Sequence, residues 1–193
     1  MRLFIVVRHG ESELNAVERI NGDPAVDVRL TERGREEAAE LALQVGHVPL
    51  EACFVTRFGR TRETAELALA GRDVPMLVEP LLDDIDVGDL EGETIADYRA
   101  WKRAHTRKDR FPAGESLDEA ALRHADGFRR IAETTHDVVL IVCHEIPLRY
   151  ALNAAAGSDQ LDGPVHQLRN AVPYLFDEAS LSRAVERIRL LAL

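Results

Sequence analysis

The chain has little cysteine, no excess of positive charge and no long apolar run, and each shortage excludes a class of protein. Its two cysteines among 193 residues, Cys53 and Cys143, lie inside apolar runs, which argues against a disulfide framework or a cysteine metal site. A net charge of −10 argues against nucleic-acid binding, because most of the surface would repel phosphates. No apolar run approaches the roughly 20 residues that span a membrane, and the start lacks the pattern of a secretory signal. These shortages predict a cytoplasmic protein without membrane or nucleic-acid partners.

What the chain does have is the composition of one globular domain. Hydrophobic residues make up 46% of it and charged residues 30%. A domain of this length buries roughly 70% of the surface of its unfolded chain, which is enough for a sizeable core. We therefore expect residues 1–193 to form a single domain with insertions.

Short apolar runs alternate along the chain with segments of helical periodicity. The predicted strands cover residues 3–7, 52–55, 76–78 and 138–142, and the predicted helices begin near Thr31, Thr61, Thr94, Ser116 and Pro147. In the tail, residues 172–176 and 184–191 are interpreted as an antiparallel edge pair, with a helix over 184–191 as the alternative. The alternation predicts a three-layer α/β/α fold with a mainly parallel sheet.

Two histidines follow predicted strands directly. Arg8 and His9 come after the first apolar run, Gly10 then permits a tight turn, and His144 follows the run at 138–142. Each histidine alone is equally well explained as the polar end of a strand. Together they are expected at the carboxyl edge of one sheet, where α/β proteins bind ligands. An imidazole nucleophile beside a guanidinium group suits phosphoryl transfer.

Five motifs, in their order along the chain, resemble the histidine phosphatase superfamily, also called the phosphoglycerate mutase-like family. They are Arg8-His9-Gly10-Glu11 with Asn15, residues 56–65, residues 84–92, residues 112–116 and residues 142–144. The similarity runs from the first predicted strand to the helix after His144. It implies a single-domain α/β fold of the phosphoglycerate mutase-like type and favours the phosphatase branch of the family.

The resemblance implies roles for residues in the first, second and last motifs. His9 would be the nucleophile that forms a phosphohistidine. Arg8 and Arg60 would bind the phosphoryl oxygens, because a guanidinium fork matches them better than the point charge of lysine. His144 would add hydrogen bonds to the transferring group. Asn15 would bind the phosphate or orient His9, although a capping role is the alternative.

The implied reaction also needs a carboxylic acid to protonate the leaving alcohol. The resemblance points to Asp84, where many relatives have glutamate, and a neighbouring phosphate and carboxylates would favour its protonated form. Asp83 and Asp86 in the same loop are the alternatives. The chemistry implies no metal and no cofactor, and the histidines outside the motifs lack the spacing of metal ligands.

Two departures and one segment bear on the substrate. Glu145 follows His144 where relatives often have glycine; its charge would favour protonated His144 if the two interact, and it would repel a substrate carboxylate. Thr56-Arg57 replaces the Ser-Pro that is common in relatives. Residues 93–114 correspond to the capping insertion of the family, and the six basic residues between Arg99 and Arg110 predict an electropositive rim.

These observations predict a metal-independent phosphatase that hydrolyses small phosphomonoesters through a phosphohistidine on His9. The expected partner is a small phosphorylated substrate, and a homodimer remains open. The alternatives are phosphoryl transfer of the phosphoglycerate mutase type, a protein phosphohistidine phosphatase, and a non-catalytic anion-binding protein. The chain is shorter than the glycolytic mutases of the family, which favours the phosphatase.

Overall fold

The five strands of the computed structural model, which describes residues 2–193, form one sheet. They are β1 (Leu3–Arg8), β2 (Ala52–Val55), β3 (Met76–Val78), β4 (Val138–Cys143) and β5 (Pro173–Asp177). The order across the sheet is β3-β2-β4-β1-β5, with β5 antiparallel to β1 and the other pairs parallel. The predicted mainly parallel sheet is confirmed, and the central β1 and β4 end at the same edge.

Helices cover both faces of this sheet. They are α1 (Glu13–Ala16), α2 (Glu32–Val45), α3 (Gly59–Ala68), α4 (Ile95–Ala104), α5 (Leu117–Ala132), α6 (Glu145–Ala155) and α7 (Glu178–Ala192). Along β1, Phe4 and Val6 pack with α5, α6 and α7, whereas Ile5 and Val7 pack with α2 and α3. This alternation along a buried strand produces the predicted three-layer α/β/α arrangement. Within residues 2–193, no helix is long and apolar enough to cross a membrane.

Three of the five predicted helix starts are set by hydroxyl caps. The side chain of Thr31 accepts a hydrogen bond from the backbone N–H of Gly34 at the start of α2. Thr94 and Ser116 form capping boxes at the starts of α4 and α5. Helix α3 begins at Gly59, two residues before the predicted start at Thr61, with Phe58 at its N-cap and no side-chain hydrogen bond there. Such a start leaves no signal in the sequence.

The prediction of an antiparallel edge pair in the tail is wrong for its second half. Strand β5 pairs with β1, but residues 184–191 lie within α7. The buried residues of α7 recur at helical spacing: Leu181, Ala184, Val185, Ile188 and Ala192. Asp177 caps this helix by accepting from the N–H of Ser180. The apolar stripe then packs on the sheet, so the helical alternative is the correct one.

Gly10 has a different function from the one the sequence predicts. Its backbone is not left-handed. A Cβ at Gly10 would lie 2.4 Å from the carbonyl oxygen of Gly34, and a Cβ at Gly34 would lie 2.1 Å from that of Glu11. Glycine is therefore required by the close approach of the loop after β1 to the first turn of α2, rather than by a tight turn.

We expect Gly10→Ala to lower the free energy of unfolding by about 2–3 kcal/mol, because two backbone segments must separate to admit the methyl group. Urea unfolding followed by circular dichroism measures this change. Gly46→Ala is the control, since Gly46 has φ −57° and its Cβ would lie 3.0 Å from the nearest atom. Equal stability of the Gly10→Ala protein and the wild type would contradict the interpretation.

Candidate active site

A cavity of about 410 Å³ opens at the carboxyl ends of β1 and β4. Five of the six residues singled out from the sequence line it: Arg8, His9, Asn15, Arg60 and Asp84. They come from four separate parts of the chain, which the sheet edge and α3 bring together. The sixth residue, His144, is fully buried behind this lining.

His9 is held on both sides of its backbone and at its ring. Its N–H donates to the carbonyl of Cys143 (3.0 Å), and its own carbonyl accepts from Nδ2 of Asn170 (2.7 Å). Nδ1 lies 2.7 Å from the carbonyl oxygen of Gly10. A carbonyl oxygen only accepts, so Nδ1 carries the proton and Nε2 has the lone pair. Nε2 accepts from Nε of Arg60 at 3.0 Å.

The surroundings of His9 favour its neutral form. The side chain is almost completely buried, and this burial lowers its pKa well below the ordinary value of 6.5. The positive charges of Arg60 and Arg8 lower the pKa further. The imidazole is therefore unprotonated at neutral pH and is suited to act as a nucleophile.

Arg60 contacts most of the other residues of the site, since all of its side-chain nitrogens are hydrogen-bonded. Beside the bond from Nε to His9, Nη1 donates to Oδ1 of Asn21. The two hydrogens of Nη2 are shared among three acceptors, which are the backbone carbonyl of Asn21 (3.0 Å), Oδ2 of Asp84 (3.2 Å) and Nδ1 of His144 (3.1 Å). The guanidinium thus fixes the two histidines and the carboxylate relative to one another.

His144 lies next to the site rather than in the cavity wall. Because Nδ1 accepts from Arg60, Nε2 carries the proton and donates to Oγ1 of Thr56 (2.9 Å), which is hydrogen-bonded to Oγ1 of Thr61 (2.9 Å). Burial, and then the charge of Arg60, lower the pKa of His144 well below 6.5. Its ring meets that of His9 edge-on, with the centroids 5.3 Å apart.

Of the three acidic residues in the loop, Asp84 is the one that lines the cavity. Its Oδ1 accepts from the N–H of Ile85 (3.0 Å), while Oδ2 faces Arg60. Burial raises the pKa of Asp84 above 3.8, and the charge of Arg60 opposes this effect. Asp83 instead accepts hydrogen bonds from the backbone and side chain of Arg57. Asp86 is exposed and accepts from the N–H of Gly88.

The two remaining candidates, Asn15 and Arg8, differ in the roles that their side chains already have in the structure. Asn15 forms a capping box with Ser12 at the start of α1, so it has the local capping role in addition to its place in the cavity wall. Arg8 donates through Nη1 to the carbonyl of Leu168 (2.7 Å), and its Nε is buried without a partner. Arg8 therefore retains a donor for a ligand.

Glu145 does not interact with His144 in the way the sequence predicts. Its Oε2 lies 2.9 Å from Nη1 of Arg8, and its Oε1 lies 3.4 Å from Nη1 of Arg149. The carboxylate turns towards these two cations because they lie at the cavity wall, whereas His144 is enclosed by Thr56 and Arg60. The condition under which Glu145 would favour a protonated His144, a direct interaction between the two, is therefore not met.

No pattern in the sequence marks Asn21 as a site residue, although both of its oxygens accept hydrogen bonds from Arg60. Asn21 belongs to the polar segment before α2, and its Nδ2 donates to Oε1 of Glu91 (2.8 Å). The Glu91 carboxylate also accepts from the N–H groups of Gly22 (2.6 Å) and Asp23 (3.0 Å). The segment looks like an ordinary polar turn, so only the tertiary contacts identify Asn21.

The predicted electropositive rim is confirmed for half of its members. Arg99, Lys102 and Arg103 of α4 line the cavity. The other three are engaged elsewhere: Arg107 with Asp118 and Asp162, Lys108 with the carbonyl of Leu193, and Arg110 with Glu119. Seven basic and two acidic side chains line the cavity, so it is positively charged in a chain of net charge −10.

Helix α4 has no fully buried residue. Assignment of residues 93–114 as a capping insertion stays a prediction.

Metal ligation has no candidate cluster in the described part of the chain, because residues 2–193 contain no group of three or more His, Cys, Asp or Glu side chains arranged around one point. Seven of the nine charged side chains that line the cavity are cationic donors, which suits an anion. The fold and the site together define an α/β protein with a buried histidine and arginines at the carboxyl edge of a parallel sheet.

The chain belongs to the histidine phosphatase superfamily (branch 1), whose family model matches residues 4–188. It is 36% identical over 135 residues to the 2,3-bisphosphoglycerate-dependent phosphoglycerate mutase 2 of Gloeobacter violaceus, covering 64% of this chain and 60% of that protein. It is 30% identical over 166 residues to phosphoserine phosphatase 1 of Hydrogenobacter thermophilus, covering 81% and 77%.

A solved structure agrees with the fold. Bacillus stearothermophilus YhfR matches with a TM-score of 0.80 at 26% identity, covering 91% of this chain and 90% of that one. By contrast, this chain spans 60% of the length of the Gloeobacter mutase and 57% of the length of two further mutase relatives. The relatives thus include mutases and a phosphatase, all of them named as enzymes.

Proposed function

We propose that the protein is a metal-independent phosphatase that hydrolyses small phosphomonoesters through a phosphohistidine on His9. The observation that carries the proposal is the unprotonated Nε2 of His9 in a positively charged cavity, beside Arg60 and Asp84. Membership of the histidine phosphatase superfamily supports it, as does the similarity to a phosphoserine phosphatase over most of both chains.

In the first step, Nε2 of His9 attacks phosphorus. The Nε2–P bond forms, the P–O bond to the leaving alcohol breaks, and the proton of Asp84 passes to the leaving oxygen. Nε of Arg60 must give up its bond to Nε2 and donate to a phosphoryl oxygen instead. Arg8 supplies a second guanidinium for the developing negative charge.

In the second step, water hydrolyses the phosphohistidine. The ionised Asp84 takes a proton from the water, whose oxygen bonds to phosphorus as the Nε2–P bond breaks. Inorganic phosphate leaves, and both His9 and Asp84 return to their starting protonation states. The bond from Nδ1 of His9 to the carbonyl of Gly10 persists throughout and stabilises the ring orientation.

Asn21 and His144 are positioning residues in this scheme. Both accept hydrogen bonds from the guanidinium of Arg60, and neither has to touch the phosphoryl group. His144 in turn is fixed by Thr56. The scheme therefore differs from the sequence-based prediction, in which His144 contacts the transferring group itself.

Similarity to phosphoglycerate mutases makes a mutase the second candidate. Incubation of the protein with 3-phosphoglycerate, with and without 2,3-bisphosphoglycerate, separates the two reactions. We expect inorganic phosphate from a panel of phosphomonoesters in the presence of EDTA, and no 2-phosphoglycerate. Formation of the isomer without phosphate release would establish the mutase instead, and inactivity towards the whole panel would refute the phosphatase.

The two pKa shifts predict the pH dependence of kcat/KM. The lowered pKa of His9 keeps the nucleophile neutral until the pH falls through that value, and the raised pKa of Asp84 keeps the acid protonated until the pH rises through it. The first shift lowers the acidic limit and the second raises the alkaline limit, so both increase the fraction of the protein in which neutral His9 and protonated Asp84 occur together. Asp84→Asn should remove the alkaline limb and lower kcat for alkyl phosphates by about 10²–10³-fold.

The effect of Asp84→Asn should be smaller on the phosphorylation step with p-nitrophenyl phosphate, because p-nitrophenolate leaves without a proton. Stopped-flow release of p-nitrophenol measures that step. The pH profile of kcat/KM with an alkyl phosphate shows whether the alkaline limb is present. Asp86→Asn is the matched control, since Asp86 is exposed in the same loop. An unchanged alkaline limb in Asp84→Asn would show that another group is the acid.

A further inference from the structure

Glu145 is a carboxylate in the wall of a cavity that otherwise suits anions. The proposed reaction does not use it, and the cavity has only one other acidic side chain, Asp84. The Glu145 side chain is 29% exposed, so it reaches the cavity space. Such a group in a phosphate-binding cavity requires an explanation, because it weakens the field that attracts the substrate.

The contacts of Glu145 place its charge between two cations. One oxygen contacts Arg8 at 2.9 Å, and the other contacts Arg149 at 3.4 Å. Glu145 is the first residue of α6, where the positive end of the helix favours a carboxylate. Nε of Arg8 and Nε of Arg149 are both buried without a partner. The carboxylate thus occupies the position that a second anionic group would need in order to bridge the two guanidinium groups.

We propose that Glu145 determines substrate specificity by acting as a built-in anion beside the phosphate position. It selects phosphomonoesters whose leaving alcohol carries only neutral or cationic groups, such as a hydroxyl or ammonium group, on the carbon next to the ester carbon, and it rejects those that carry a carboxylate there. The inference rests on the proposed function, because it assumes that the phosphate lies against Arg8 and His9.

The physical basis is repulsion between like charges in a partly enclosed space. A substrate carboxylate next to the ester carbon would approach the side of Arg8 that Glu145 already neutralises. Two carboxylates in contact there change affinity by well over tenfold, even with the screening found near a protein surface. A hydroxyl or ammonium group can instead donate a hydrogen bond to Glu145.

A matched pair of ligands isolates this effect. Glycerol 3-phosphate and 3-phosphoglycerate differ by a hydroxymethyl group and a carboxylate on the carbon next to the ester carbon. Binding is measured by titration calorimetry in the His9→Ala background, so that no turnover intervenes, and kcat/KM is measured in the protein with His9. We expect glycerol 3-phosphate to bind at least tenfold more tightly, and Glu145→Gln to narrow that ratio at least fivefold.

Glu178→Gln is the matched control. Glu178 is also the first residue of a helix and pairs with Arg2, but it lies outside the cavity lining. Its substitution should leave unchanged the ratio of the affinities for glycerol 3-phosphate and 3-phosphoglycerate. The control separates loss of a helix-terminal carboxylate from loss of a charge in the cavity.

Three results would overturn the proposal. They are equal affinity for the two ligands before substitution, an affinity ratio that Glu145→Gln leaves unchanged, and absence of binding by both ligands. An unchanged ratio with an equal loss of affinity for both ligands would mean that Glu145 only holds Arg8 in place. Discrimination in binding without phosphate release by the protein with His9 would instead refute the phosphatase reaction and leave the role of Glu145 intact.

Discussion

Replacement of His9 by alanine should lower kcat for p-nitrophenyl phosphate by about 10⁴-fold or more, because the proposed route loses its covalent intermediate. His144, the other histidine of the site, is not placed to take over the attack. His144 presents its lone pair to Arg60 and its proton to Thr56, and it is fully buried. Binding of the substrate should persist, since Arg8 and Arg60 remain.

A trapping experiment checks the intermediate directly. The protein is mixed with a ³²P-labelled phosphomonoester and quenched in alkali, in which phosphohistidine survives and acyl phosphates do not. We expect label on a peptide that contains His9, and none in His9→Ala. His47→Ala serves as the control because His47 is exposed and lies outside the motifs and the cavity lining. Label retained by His9→Ala would place the nucleophile elsewhere.

The second large effect is expected for Arg60→Lys, which should lower kcat/KM by about 10³-fold, because several aligned donors are replaced by one flexible ammonium group. Lysine keeps the charge but cannot reach His9, Asn21 and Asp84 together. It also loses the stacked contact with Phe58, whose ring centroid lies 4.2 Å from the guanidinium carbon. The chemistry would therefore fail although a positive charge remains.

Loss of stability must be separated from loss of activity in this variant. Arg60 is 3% exposed, and its removal leaves buried acceptors unpaired, so we expect the free energy of unfolding to fall by about 2 kcal/mol. Activity is measured at a temperature where circular dichroism shows the variant to be folded. Arg62→Lys, on the exposed face of the same helix, should behave like the wild type. A folded Arg60→Lys protein of nearly full activity would refute the central role of Arg60.

The sequence predicted well those features that are encoded locally. Apolar runs of three to five residues predict β1, β2, β3 and β4, and hydroxyl caps at Thr31, Thr94 and Ser116 mark three of the helices. His9 and His144 were expected at one edge because each directly follows a strand. Parallel pairing of β1 with β4 then brings them together without any further information from the sequence.

What the sequence did not predict depends on contacts between distant segments. Asn21 reaches Arg60 across 39 positions of the chain, and Glu145 meets Arg8 from a different strand end. The role of Gly10 depends on how closely a second backbone approaches. The second segment of the tail, residues 184–191, stayed open between a strand and a helix because a short apolar segment fits both, and only packing on the sheet decides between them.

Helix α4 has no fully buried residue, which affects how its sequence can diverge in evolution. Substitutions of its exposed Arg99 and Arg103 cost little folding stability, in contrast to those at the sheet edge, where the loop of Gly10 touches α2. Both arginines line the cavity. For the proposed reaction, new leaving-group preferences can therefore evolve on this helix while the residues around His9 stay as they are.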